Sequence, residues 1–187
     1  MMKKIFAVMM LMFFSMAAFA GPEIAGVNVS DSVSYSGKQY NFNGAGIRKK
    51  LILKLYVGSL YTERKVTDEK DVLKGAVSSV IRLDIISGII TSKLMKETVQ
   101  EGFEKAMGGD TSSLQGRIDS FIAVFSDEIS KGDSFIFVSV PGKGVTAYKG
   151  DKELVVIDDD KFREVLFSIW LGNDPADKNL KEAMLGS

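Results

Sequence analysis

Hydrophobic periodicity changes three times along this chain, and the order of those changes limits the available folds more than any single residue does. Residues 24–29 and 33–42 read as short strands, the second broken by a turn at Ser36-Gly37-Lys38. Leu51 to Tyr61 is almost continuously apolar, as expected of a strand covered on both faces. Asp68 to Leu73 reads as a short helix capped by Thr67, with acidic residues in its first turn. Val80 to Ile86 alternates, with Ile81, Leu83 and Ile85 on one side and Arg82 and Asp84, a partly exposed pair, on the other. The spacing then turns helical. Met95, Val99, Phe103 and Met107 follow Thr91 or Ser92 as N-cap, and after Gly108-Gly109 come Leu114, Ile118, Phe121, Ile122 and Phe125. Residues 134–140, 144–149 and 152–157 return to strand as a meander. Asp158 to Asp160 cap a helix carrying Phe162, Val165, Leu166, Ile169 and Trp170, ended by Gly172 at C′. Asp174-Pro175 then reads as N-cap and N1 of a last short helix through Leu185. Strands, helices, strands, helices is an α+β order, with helices laid on one face of a mostly antiparallel sheet.

The first twenty residues stand apart from this pattern. Lys3 and Lys4 precede an apolar run from Ile5 to Phe14, and Ala18-Phe19-Ala20 supplies the small residues a signal peptidase reads. The run is shorter than the roughly 20 apolar residues a membrane-spanning helix needs. Residues 1–20 are therefore expected to be a signal peptide cleaved after Ala20. Residues 21–187 are then one domain, periplasmic or secreted, with no stable membrane span. Taking 20 residues from 187 leaves 167, enough for one domain that buries about 70% of its unfolded surface. Of 24 basic residues the signal removes two, which against 24 acidic ones leaves a net charge of −2. Only Arg48-Lys49-Lys50 runs to three successive basic residues, so a nucleic-acid surface is not expected.

Cysteine and histidine are both absent. That rules out a thiol nucleophile, a Ser-His-Asp triad and the common zinc sites. Asp158-Asp159-Asp160 lacks the spacing of a calcium loop and reads as helix capping, so no metal and no cofactor are expected. Gly44-Ala45-Gly46 begins like a dinucleotide fingerprint, but Lys49 holds the third glycine position and the segment leads into a strand. Its glycines are better read as a bulge or a close backbone approach. Trp170 sits on a helical stripe and reads as core. Arg48 is the candidate functional residue. It belongs either to a solvated Arg48-Lys49-Lys50 turn or to an inward-facing position, where a guanidinium among apolar residues must meet a carboxylate, a phenol or a ligand.

Several blocks together resemble the bacterial, exported branch of the chalcone isomerase-like family. They are Gly44-Ala45-Gly46-Ile47-Arg48-Lys49-Lys50, Lys54-Leu55-Tyr56-Val57-Gly58-Ser59-Leu60-Tyr61, Val140-Pro141-Gly142-Lys143-Gly144-Val145, Ile169-Trp170-Leu171-Gly172-Asn173-Asp174-Pro175-Ala176-Asp177 and the final Leu180-Lys181 to Leu185-Gly186. The resemblance implies an open-faced β-sandwich, a large antiparallel sheet under a layer of helices with a cleft between. It places the family's arginine on Arg48. The neighbouring strand position, threonine in the isomerases and tyrosine in plant plastid proteins that bind fatty acids, falls on Tyr56. In those binders the arginine and tyrosine hold the ligand carboxylate. The isomerases' tyrosine and asparagine fall near Met95 and Gly102, and a further polar position falls on Ser168 or Ile169.

These carry-overs imply a non-catalytic domain that binds a fatty acid or a similar amphipathic carboxylate through Arg48 and Tyr56. Two alternatives stay open. One is an isomerase, an intramolecular lyase, in which Arg48 and Tyr56 would be the catalytic pair. The other is an envelope protein-interaction module, whose marker would be an apolar helix face left uncovered around Phe121 and Phe125.

Overall fold

The computed structural model describes residues 21–186, so the signal peptide expected over residues 1–20 lies outside the described residues. β1 (Glu23–Ile24) and β2 (Val27–Asn28) form a small hairpin. The main sheet holds β3 (Ser32–Tyr35), β4 (Lys38–Lys50), β5 (Leu53–Thr62), β6 (Ser79–Ile85), β7 (Ser134–Val140), β8 (Gly144–Lys149) and β9 (Lys152–Ile157). These seven strands are antiparallel and lie side by side in chain order. α1 (Glu69–Leu73) sits between β5 and β6. α2 (Ser92–Ala106) and α3 (Gln115–Ile122) sit between β6 and β7, and α4 (Asp160–Leu171) and α5 (Lys178–Leu185) follow β9. This is the α+β, helix-on-sheet arrangement expected from the periodicity.

The sheet is curled. Tyr35 on β3 and Tyr148 on β8 are five strand steps apart, about 24 Å in a flat sheet, yet their ring centroids lie 5.2 Å from each other. Val57, Tyr61, Val80, Ile136 and Val138 are thereby buried on the concave face without a helix. The other face packs against the helices through a cluster of phenylalanines. Phe121 lies within 6.0 Å of Phe103, Phe125, Phe137 and Phe162, ring to ring. Phe121 and Phe125 are wholly buried, which corrects the expectation of an uncovered face there. Phe121 in α3 and Phe125 in the turn after it pack on Phe137 and Phe135 of β7, so the stripe is core.

Several helix ends differ from the sequence reading. Asp68, not Thr67, caps α1, its side chain accepting from Lys70 N. Asp177, not Asp174, caps α5 by accepting from Leu180 N at 3.2 Å. Asp174 instead pairs with Lys105 at 2.8 Å. Gly172 ends α4 with φ −71°, outside the left-handed region. It is required because a Cβ there would lie 2.6 Å from the Ser168 carbonyl oxygen. Asp159 caps α4 and Asp160 binds the fully buried Arg163, so these two carboxylates serve helix capping and ion pairing.

All five tyrosines have phenol pKa values raised, chiefly by burial, and Tyr61 is pushed up to about 12. A folded state that holds its phenol protons more tightly keeps this stabilisation below the ordinary tyrosine value of about 10 and loses it as pH rises through the folded value. Ultraviolet titration is therefore expected to show little tyrosinate near pH 10. A steep rise coinciding with loss of secondary structure should follow toward pH 12.

A candidate ligand cavity at the Arg48–Tyr56 strand pair

Arg48 does not lie in a turn. β4 continues to Lys50, and Arg48 is paired in register with Tyr56 on β5. The register shifts immediately beyond this pair, leaving Leu55 as a bulge before Lys49 meets Lys54. Directly paired residues share a sheet face, so both side chains project toward the helical layer. Tyr56 is part of the helix-facing core, and the Arg48 side chain is only 17% exposed. The inward reading of Arg48 is thus the one realised.

Two of the three partners that the inward reading allowed, a carboxylate and a phenol, lie beside it. Arg48 Nη1 lies 3.5 Å from Asp177 Oδ2 and also donates to the Lys49 carbonyl oxygen. Asp177 is held mainly by backbone: Lys49 N donates to Oδ2 at 3.1 Å and Leu180 N to Oδ1 at 3.2 Å. Burial pushes the Asp177 carboxyl pKa up, but these amides and the Arg48 charge outweigh it and hold the group below the ordinary range, ionised. Among the described residues Arg48 Nε and Nη2 have no hydrogen-bond acceptor.

Tyr56 is buried, and its hydroxyl oxygen accepts from Trp170 Nε1 at 3.0 Å. Burial raises this phenol's pKa, while the Trp170 bond and the Arg48 charge oppose the rise. The phenol is neutral near pH 7, and its O–H remains free to donate. Trp170, expected only as core, is therefore also a polar orienting group. It is fixed from behind by stacking on Phe137 at 5.7 Å.

Arg48, Tyr56 and Trp170 border a cavity of about 250 Å³ between β4–β6, α2 and α4. Its wall is mostly apolar, with Leu55, Leu83, Met95, Val99 and Ile169. Leu53 and Ile89, both about half exposed, lie at its mouth. Met95 and Gly102 line it and bring neither a phenol nor an amide. Ile169 lines it too, whereas Ser168 faces another depression and donates to the Val165 carbonyl. Asp177 was not singled out from sequence, although an aspartate three residues before Leu180, at the head of the Leu180, Met184 and Leu185 stripe, is a capping signal.

The glycines of β4 and β5 bring the last helix onto this site. A Cβ at Gly44 would lie 2.1 Å from the Ala183 carbonyl oxygen, one at Gly46 2.8 Å from Ala183 Cβ, and one at Gly58 2.7 Å from Met184 Cε. Their purpose is close backbone approach, not phosphate binding, and α5 delivers Asp177 to Arg48 as a result.

A curled antiparallel sheet with helices on one face and a cavity between the layers defines the chalcone isomerase-like class of folds. The sequence profile of that family, described as chalcone isomerase-like, matches residues 21–186, and the chain belongs to this family. Among solved structures it is similar to that of an Arabidopsis thaliana fatty-acid binding protein. The TM-score is 0.67 at 19% identity, covering 86% of this chain and 92% of that one. No curated protein sequence matches.

Proposed function

We propose that this protein holds a fatty acid or a similar amphipathic carboxylate in the sheet–helix cavity, without chalcone chemistry. We further propose that it does so outside the cytoplasm, as a bacterial exported member of its family, after removal of residues 1–20. The observation that carries the ligand reading is Arg48. It is a largely buried guanidinium in a mostly apolar cavity beside the Tyr56 phenol, and its Nε and Nη2 make no hydrogen bond within 3.5 Å to a described residue. A carboxylate fits the planar fork of these donors, and the Tyr56 O–H adds a third. Asp177 offsets part of the Arg48 charge at Nη1 while its oxygens also accept from two backbone amides, so it orients the guanidinium and leaves Nε and Nη2 to a ligand. Charged hydrogen bonds contribute about 1.5–3 kcal/mol each, and the tail about 0.8 kcal/mol per buried CH₂. The cavity lies near the lower end of ligand sites, about 300–1,000 Å³. A long acyl tail would therefore extend past Leu53 and Ile89. The fatty-acid binding described for the Arabidopsis thaliana structure agrees with this reading.

Arg48→Ala is expected to weaken binding of a fluorescent fatty acid by about 10- to 100-fold. The melting temperature should move by only a few degrees, since Asp177 keeps its two amide donors. Mass spectrometry of gently purified wild type should show acyl chains that the variant lacks. Wild type free of lipid, with no saturable fatty-acid binding, would overturn the proposal.

One observation favours an isomerase instead. Tyr56 is a neutral phenol oriented by Trp170 beside a cation, an arrangement able to stabilise a developing enolate. Turnover of chalcones or other α,β-unsaturated ketones, abolished by Arg48→Ala, would establish it.

A further inference from the structure

The β4–β5 hairpin ends in a two-residue loop, Leu51-Ile52, between the register pair Lys50 and Leu53. The sequence reading placed both residues inside a covered strand. They are instead the most exposed large apolar side chains among the described residues, at 93% and 94%, and Leu53 is 48% exposed. Scattered exposed leucines need no explanation, but two bare aliphatic residues followed by a half-exposed third at a hairpin tip do.

Two further features of the tip work against folding. Leu51 has φ +57°, a left-handed conformation that turns of this kind normally give to Gly, Asn or Asp. Lys49 and Lys54 face each other directly across the strands, a repulsive like-charge pair. Lys49, Lys50 and Lys54 are all exposed. Among the described residues none of the three makes an ion pair. A chain with formal net charge 0 thus concentrates free positive charge around its barest apolar residues.

We propose that this hairpin docks on an anionic lipid bilayer, with Leu51 and Ile52 inserted among the acyl chains and Lys49, Lys50 and Lys54 against the lipid phosphates. The chemistry is that of interfacial anchors, apolar side chains entering below the headgroups while nearby lysines meet negative charge. The occupant follows from shape as well as charge. A narrow convex tip suits a fluid interface, whereas a second protein copy needs about 800 Å² of complementary surface per partner. Position adds a third argument. Lys50 and Leu53 line the cavity as well as belonging to the hairpin, and Ile89 flanks them there, so docking turns the cavity mouth toward the bilayer. The proposal goes beyond the fatty-acid reading, since the tip would dock with the cavity empty.

The chain has no cysteine, so an environment-sensitive fluorophore placed through Ile52→Cys reports on this site alone. Vesicles of equal parts phosphatidylglycerol and phosphatidylcholine should shift its emission to the blue and brighten it. Phosphatidylcholine alone should do so far less, and salt at about 0.5 M should reverse most of the effect. The same label at Val156→Cys, an exposed position in the row of Tyr61 at the other end of the sheet, should not respond. Leu51→Asn with Ile52→Ser suits the backbone of the tip better than the natural residues do. It should lower anionic-vesicle affinity by about tenfold or more while leaving fatty-acid binding in vesicle-free solution unchanged, with the same N-terminus in every protein compared. An unresponsive label at position 52, or unchanged vesicle affinity in the double variant, would overturn the proposal. So would a wild-type dimer that the double variant converts to monomer, because a second copy would then be what covers the tip.

Discussion

Gly44→Ala is expected to loosen the last helix and with it the candidate cavity. The added Cβ would lie 2.1 Å from the Ala183 carbonyl oxygen and 2.7 Å from that of Met184. Both are backbone atoms, so no rotamer change relieves the clash and either α5 or β4 must move. The neighbouring Asn43 makes such movement costly. Its Nδ2 donates to Met184 O at 2.8 Å and Val66 O at 2.9 Å, and its Oδ1 accepts from Val66 N at 2.8 Å. Overpacking commonly costs about 1–3 kcal/mol, and breaking this buried network adds to it, so a loss of about 3 kcal/mol or more is expected. Gly58→Ala provides the internal comparison. Its Cβ would meet the flexible end of Met184 at 2.7 Å, and it should cost clearly less. Denaturant titration reads the difference in stability. Hydrogen exchange across Lys178–Leu185 should show protection lost in Gly44→Ala before the sheet opens. Fatty-acid affinity should fall with it, because Asp177 at the head of that helix orients Arg48. Equal stability of the two variants would show that α5 is not seated through its backbone.

The second large effect is expected at Phe121→Ala. Phe121 is wholly buried and makes ring contacts from 5.2 to 6.0 Å with four other phenylalanines, from α2, α4, β7 and the turn after α3. Truncating such a residue costs about 3–5 kcal/mol, a large share of the 5–15 kcal/mol that holds an ordinary domain together. For a chain of this size that corresponds to a melting temperature lower by about 6–20 °C. The loss should reach the candidate cavity, since Phe137 touches Phe121 on one side and stacks on Trp170 on the other. Phe125 also lies against Phe135 and Phe137, so Phe121→Leu, which keeps most of the volume, should recover much of the stability. A scanning calorimeter distinguishes the two. If Phe121→Ala melted like wild type, the aromatic cluster would not be the centre of the core.

Much of the fold was legible because its elements are defined over short spans of chain. The 134–140, 144–149 and 152–157 meander was read to its observed boundaries, since alternation and turn chemistry are both local signals. The run from Leu51 misled for the same reason. Apolar composition over eleven residues looks like strand, and nothing local says that the chain reverses at Leu51-Ile52 with both side chains in water. The choice between Asp174 and Asp177 as N-cap was equally beyond local reading. Either aspartate can cap a helix, and the one used is the one that also reaches the Lys49 amide across the molecule.

The sequence by itself determined the kinds of elements and their order, and it singled out Arg48 beside an apolar strand without deciding whether its side chain turned inward, because periodicity and residue chemistry are properties of neighbouring residues. Its resemblance to a family pointed to Arg48 and Tyr56 as a pair. Only the tertiary structure decided what surrounds them. Asp177 comes to Arg48 from 129 residues away and Trp170 to Tyr56 from 114. Such contacts depend on how strands curl and helices seat on glycines, and these are settled by packing over the whole molecule.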